Sequence, residues 1–374
     1  MAILDSYTQG GNREDLIDLV TTVARKETPL LSSMDVTRAK GTLHEFTTDT
    51  YRSPADNAHI EGAAASAASA TTRVKLNNYT QIVQEVASVS DTQEIVDKAG
   101  VVSEMDYQIL KKTGELARDM ERVCFEGTKN AGASASKARR AGGLHYWATT
   151  NRTSMATSVV SGTCTGNGTT LVVNVAAGHG SAANDIILLT GGTGQGQARK
   201  IISVSTNALT VGVSGQTTEL APVTSASVAT DNTTTYTIYK TPKALTFAVI
   251  NAALATSFNA GGTPNEILVD STQKQAISGF LTANRRGTQS DKKFTEAVDV
   301  LDTDFGTISV KYANQAPVSS VSIVESGKWR LANLRAIKPV PLAKVGSSTE
   351  KMIEAEFTIE ALGENANAMI FGAL

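Results

Sequence analysis

Residues 188–202 read LLTGGTGQGQARKII, with four glycines between Gly191 and Gly196 and Lys200 close behind. Two folds compete for this stretch. If the glycines cradle a phosphate, a strand must lead into them and a helix must leave, and the chain is an α/β nucleotide-binding protein. If they form only a tight turn, the same residues join two antiparallel strands. The phosphate reading fails on its own requirements. Gly191 and Gly196 have the spacing of GxxxxGK[ST], but Gln197 and Ala198 stand where Lys and Ser/Thr are needed. The residues that follow, ARKIISVS, alternate as a strand does, so no helix N-terminus is available to an anion. Gly192, Gly194 and Gly196 also lack the acidic residue expected ~20 positions on for a dinucleotide. The stretch reads as a glycine-rich hairpin turn.

Its surroundings agree. From 153 to 240 charges are sparse, Thr, Val, Gly and Ser dominate, and no helical period appears. Short alternating runs (TLVVNVA, DIILLT, RKIISVS, ALTVGVS, TYTIYK) are separated by turn residues. This predicts an inserted all-β module of about five to seven strands. Removing 153–240 is expected to leave the rest folded.

On the N-terminal side, residues 12–28 read as a short helix, with Asn12 as cap and Leu16, Leu19, Val20 and Val23 on one face, ended by Pro29. GTLHEFTTDTYRS and TTRVKLNNYTQIV read as two strands flanking the low-complexity PADNAHIEGAAASAASA, a long hairpin whose arms of ten or so residues reach about 35 Å. A two-stranded ribbon of that size is marginal in water and needs a surface to lie on. IVQEVASV is a further strand. Residues 101–126 then form a long amphipathic helix of roughly 40 Å. Val102, Met105, Ile109, Leu116, Met120 and Val123 make its apolar stripe, Glu115, Arg118 and Arg122 lie on the exposed side, and Gly127 ends it. Residues 128–152 read as a small-residue loop.

On the C-terminal side, KALTFAVINAALATSFNAGG is a small-residue helix and NEILVD a buried strand, followed by a helix capped at Asp270 or Ser271. TEAVDVL, GTISVKYA and SSVSIVES read as strands, and the last segment as one alternating strand with an apolar tail.

The 374-residue chain is 41% hydrophobic and 19% charged, with a formal net charge of −2. That balance does not suit a dedicated nucleic-acid binder, and the densest basic run, Lys137–Arg140, sits among Gly, Ala and Ser and reads as a solvated loop. Cys124 and Cys164 suggest no disulfide framework, and a reducing compartment fits. No leader and no long apolar run is evident, so a soluble protein made in a cytoplasm is expected. His44, His59, His145 and His179 share no ligand spacing and read as surface-loop residues. Asp299, Asp302 and Asp304 miss the calcium-loop spacing, and the Asp304–Gly306 triplet lacks the other kinase elements. Asn151, Asn167 and Asn232 lie in chance sequons. No catalytic residue, cofactor or metal site emerges.

The remaining features are mechanical: an arm, a projecting hairpin, a long helix and an inserted β module. Outside 153–240 the chain resembles tailed-bacteriophage major capsid proteins of the HK97-like fold, and within them the SU10-type branch. The likeness rests on YTQIVQEVASVSDTQE before the long helix and, in order, on TDFGTISV, LANLRAIKPVPLAKVGSS and EAEFTIEALGENANAMIFG in the C-terminal third. The glycine turn is similar to one in small β modules of phage structural proteins. The resemblance implies an α+β fold with an N-terminal arm (1–40), an extended loop (41–80), a peripheral domain (81–152) with spine helix 101–126, the inserted β domain (153–240) on the exterior, an axial domain (241–345) and a C-terminal return to the peripheral domain (346–374).

The function implied is a shell protein that assembles with itself into pentamers and hexamers, made in a bacterial cytoplasm and residing in the virion. It would enclose double-stranded DNA without reading its sequence and without touching a membrane. Portal, scaffold and decoration proteins are further candidate partners. Candidate contacts between copies are Leu16, Leu19, Val23, Phe46, Tyr51, Arg52, His59, Glu61, Val74 and Leu76; Met105, Ile109, Leu116, Met120 and Val123 are the spine-helix core. The alternative is a tail- or fibre-associated protein whose β module binds a host-surface carbohydrate.

Overall fold

The structure is a computed structural model that describes residues 28–52, 54–62, 64, 72–96, 102–132, 138–169, 172–212, 230–282, 299–317, 319–344 and 346–373. In chain order these form α1 (Pro29–Ser33), β1 (Asp35–Arg38), β2 (Leu43–Thr48), β3 (Val74–Tyr79), β4 (Gln81–Ser90), α2 (Asp91–Ile95), α3 (Glu104–Glu126), α4 (Leu144–Trp147) and β5 (Arg152–Ser154). The β module follows: β6 (Ser158–Thr163), β7 (Val172–Asn174), β8 (Ile186–Gly191), β9 (Ala198–Val204), β10 (Ala208–Gly212) and β11 (Thr235–Lys240). Then come α5 (Phe247–Asn259), β12 (Glu266–Val269), α6 (Ser271–Thr282), β13 (Val300–Thr303), β14 (Gly306–Tyr312), β15 (Ser320–Val324), β16 (Trp329–Pro341), β17 (Ser348–Ala361) and β18 (Ala368–Phe371).

The long helix α3 forms where its stripe predicts. The Ser103 hydroxyl caps it by accepting from Asp106 N–H at 3.2 Å, and Glu104 and Asp106 in the first turn complement the helix dipole. Met105 packs with Ala87 and Val89 of β4, while Met120 and Val123 enter the largest core. Val102 is fully exposed just before the helix and drops off the expected stripe. Gly127 does end the helix, but not through a left-handed backbone. A Cβ there would lie 2.5 Å from the carbonyls of Val123 and Ala141, so the close approach of two backbone segments demands glycine.

α3 lies against a four-stranded sheet of order β1-β16-β17-β4. β16 and β17 are a long antiparallel pair, and β1 joins β16 in parallel at Asp35↔Arg330 to Arg38↔Asn333. A six-stranded sheet, β13-β14-β12-β15-β18-β5, is covered by α5 and α6 around Ile250, Leu254, Ile267, Ile277, Ile308 and Ile323. The extended loop is rooted by the β2–β3 hairpin, paired from Leu43↔Tyr79 to Thr48↔Val74.

The β module has six strands in the order β6-β11-β8-β9-β10-β7. Thr165 N–H bonds to the Asn174 carbonyl at 3.1 Å just past the edge strands and draws the two edges together around an apolar interior. The glycine-rich stretch is the β8–β9 hairpin turn, with Gly192, Gly194 and Gly196 all at positive φ. The module is not separate from the rest. Ile187 and Leu189 point into its interior, whereas Ile186 and Leu188, with Ala198 and Tyr239, belong to the largest core together with Phe125, Leu144, Trp329, Phe357 and Phe371.

Several sequence expectations change here. Pro29 starts helix α1 at its first position; of the helix expected over 12–28, residues 12–27 lie outside the described residues and Thr28 is not helical. The hairpin arms are six residues each, about 20 Å. Residues 144–147 are helical rather than loop. β16 was not anticipated, and it places 329–341 in the four-stranded sheet, so the sheets do not divide at residue 345. Likewise β18 returns the C-terminus to the six-stranded sheet.

Candidate assembly surfaces

The hairpin is fixed at its root and open at its tip. Asn78 on β3 is fully buried and uses every polar group it has. Its Nδ2 donates to the carbonyls of Gly142 (3.1 Å) and Ile359 (2.9 Å), and its Oδ1 accepts from the N–H of Gly142 (2.9 Å) and Tyr79 (3.1 Å). Beside it, Lys129 donates to Asn77 Oδ1 at 2.5 Å with its ammonium 5.8 Å and 5.5 Å from the Tyr79 and Trp147 rings; burial lowers its pKa. His44 on β2 meets Glu360 at 2.7 Å. Thr80 and Arg139 both reach Glu356 Oε1, at 2.7 Å and 3.0 Å. Replacing Asn78 by Ala takes a bond from four backbone groups, the carbonyls of Gly142 and Ile359 and the N–H of Gly142 and Tyr79. The expected cost is about 3–5 kcal/mol at about 1–3 kcal/mol per unpaired buried group, partly relieved by water. Chemical denaturation of the unassembled chain would measure it, and a loss under 1 kcal/mol would refute the root's importance.

The second surface is the face of the four-stranded sheet turned away from α3. Along β4 the burial alternates: Ala87 and Val89 face the helix, and Ile82, Gln84, Val86 and Ser88 face outward. Val86 is opposite Met352, and Met352 opposite Val340, so three apolar side chains cross three strands in one row. Val86 is 42% exposed and Ile82 46%.

The predicted contact residues separate on this structure. Tyr51, Arg52, His59, Glu61 and Val74 are exposed on the hairpin. Leu76 is half-buried against the main core. Phe46 is a correction: it is buried in its own chain, edge-on to Trp147 at 5.8 Å, and leaves little surface for a neighbour. Leu16, Leu19 and Val23 lie outside the described residues. Of the spine-helix residues, Met105, Leu116, Met120 and Val123 are buried and Ile109 is partly so. The Lys137–Arg140 run is no solvated loop where described: Arg139 pairs with Glu356, and burial lowers the pKa of Arg140.

Three of the four histidines are also not surface-loop residues. His145 is fully buried, its pKa pushed down to about 4 by burial, His44 is paired, and His179 is buried beside Ser181; only His59 stays exposed. None joins a catalytic set. The Cys124 thiol is buried and pushed well up by burial, which leaves it inert. Among the described residues no group of three or more His, Cys, Asp or Glu side chains could hold a metal ion, and no helix is long and apolar enough to cross a membrane. A cleft of about 550 Å³ opens beside the hairpin root, but its Glu364 is occupied by the Thr149 N–H and hydroxyl at 2.8 Å and 3.0 Å. Asp231, its pKa lowered to about 2 by hydroxyls of Thr193 and Thr233, ties down the glycine turn.

A rooted hairpin, a helix laid along a long-stranded sheet and a second sheet make up an α+β arrangement of the HK97-like fold. Solved capsids share the arrangement. That of cyanophage A-1(L) matches at TM-score 0.55 with 12% identity, covering 97% of each chain. That of cyanophage P-SCSP1u matches at 0.53 with 10% identity over 99% of this chain and 97% of the other. In sequence, the major capsid protein of Escherichia phage Phieco32 is 26% identical over 370 residues, covering 98% of this chain and 96% of the relative. The family model described as SU10 major capsid protein matches residues 4–373, and the chain belongs to that family. It is a major capsid protein of a tailed phage, a structural component of the virion. The tail-fibre alternative falls with that assignment.

Proposed function

We propose that copies of this chain assemble as pentamers and hexamers into an icosahedral shell around double-stranded DNA, in the host cytoplasm and without enzymatic activity. The observation that carries this reading is the hairpin, bonded throughout at its root yet exposing Tyr51 completely and Ile60 almost so at its tip. An isolated ribbon of this kind gains nothing from such side chains; a neighbouring copy's open sheet face supplies the missing surface. The domain roles follow: 1–40 as arm, 41–80 as extended loop, the α3 sheet as peripheral domain, the six-stranded sheet as axial domain and the β module on the outside. A net charge of −2, with Arg139 already paired, suits a wall that encloses DNA without gripping it. Portal, scaffold and decoration proteins would be its other partners.

The test is a charge in the apolar row. V86E is expected to leave secondary structure and thermal unfolding of the unassembled chain nearly unchanged, because Val86 is a surface residue. Assembly should fall at least tenfold, since burying one unpaired carboxylate at each contact is multiplied around a closed shell. Electron microscopy and sedimentation read the outcome. Normal shells from V86E would exclude this face as a contact.

A further inference from the structure

Glu121 is a charged residue with no exposure at all, on the α3 face that meets α1. Its two carboxylate oxygens accept the N–H of Leu30 at 2.9 Å and of Leu31 at 2.7 Å, some ninety residues away in sequence. These are the backbone groups with which α1 opens, just after the chain leaves the N-terminal 27 residues. We propose that Glu121 is a proton-operated latch, which holds α1 on the long helix when protonated and loosens it when ionised.

The geometry sets the latch and the charge sets its direction. A buried carboxylate needs a cation or several donors. Glu121 has two amides and no cation. The elements against α3 bring none to it: Lys351 of β17 stands opposite Ala87, at the Met105 end of the helix. α1 carries no titratable side chain. On β17, Glu356 is taken by Arg139 and Arg335, and Glu360 by His44. On β4, Glu85 pairs with Lys112. On α4, His145 is fully buried and held neutral. Asp91 and Glu94 of α2 lie at the other end of α3, where Glu94 accepts from Glu104 and Met105. On α3 itself, Arg118 and Arg122 do not bond to it, and Cys124 is a buried thiol. Burial raises the Glu121 pKa from the ordinary 4.5 to about 7, against the opposing pull of the two amides.

A raised native pKa means that the seated state is fully favoured below about 4.5, and the advantage is lost as pH climbs to about 7. Above that both states are ionised and the effect is flat. The limiting change in the opening equilibrium is about 300-fold, one power of ten per pKa unit. Leu30 and Met34 also sit in the main core, so apolar burial opposes full release of α1. This inference concerns α1 alone and does not depend on the proposed assembly.

Hydrogen–deuterium exchange on the full-length chain tests it, following peptides that contain Leu30 and Leu31 from pH 4.5 to 8 after correction for intrinsic exchange. The wild type should show opening that rises by one to two powers of ten or more and then levels near pH 7. E121Q, which keeps the shape and cannot ionise, should be flat. A flat wild-type profile, or the same rise in E121Q, overturns the latch. Should E121Q not fold, the peptide covering Glu121–Gly127 decides: an equal rise there means global opening and also overturns it.

Discussion

A chain in which Ser158–Lys240 is excised and Thr157 is joined to Thr241 through two glycines is expected to be insoluble or unfolded. The join itself is undemanding, because Thr157 N–H already bonds to the Lys240 carbonyl at 3.0 Å. Failure would therefore come from what the module contributes elsewhere. Ile186, Leu188 and Tyr239 leave the largest core, with Tyr239 unstacked from Phe371 (5.6 Å between ring centroids). Each large apolar side chain is worth about 1.5–3 kcal/mol. Arg199 also leaves, and Glu126, almost fully buried, loses its 3.0 Å partner, a change worth about 3–5 kcal/mol. Together these approach about 10 kcal/mol, against a total stability of about 5–15 kcal/mol for a typical protein. The sequence reading expected the opposite, a dispensable insert. Solubility, circular dichroism and thermal unfolding of the excised chain decide between them, and a soluble, cooperatively folding product would show that the shared core is superficial.

The reason for expecting the opposite is visible in one strand. DIILLT was legible as a strand, one of the short runs that mark the module. What the run cannot say is that its two faces serve different cores: Ile187 and Leu189 line the module, Ile186 and Leu188 the body. Helix α3 shows the same limit. Its apolar stripe was readable, but periodicity sorts residues by polarity alone and gives no sign that Glu121 and Glu126 leave solvent. Both are buried, and their partners are 91 and 73 positions away. β16 escaped because Lys338, Pro339 and Pro341 argue against a strand. The structure shows why they are tolerated. β1 covers only Arg330–Asn333, so both prolines sit where β16 has β17 alone as neighbour. Membership of the capsid family, by contrast, was readable from segments of the C-terminal third taken in order, while the hairpin root around Asn78 carries no local signal.

The ion pair that joins the module to the long helix allows a sharper test than excision. R199M is expected to destabilise the unassembled chain by about 3 kcal/mol, the low end for breaking a buried pair. The low end applies for two reasons. Arg122 already stands 4.0 Å from Glu126 Oε2 and can close on it, and its unfavourable interaction with Arg199 disappears. Gln197, which accepts from Arg199 at 3.1 Å, loses its donor at the same time. Replacing both partners, in R199M/E126M, removes the buried charge instead of orphaning it. The double variant should then recover at least half of the loss, with Arg122 free to extend its partly exposed side chain toward solvent. Denaturant midpoints for the two single variants and the double variant close the cycle. A double variant as unstable as the sum of the singles would mean that Arg199 and Glu126 are not coupled, and that the module is held to the helix by apolar contact alone.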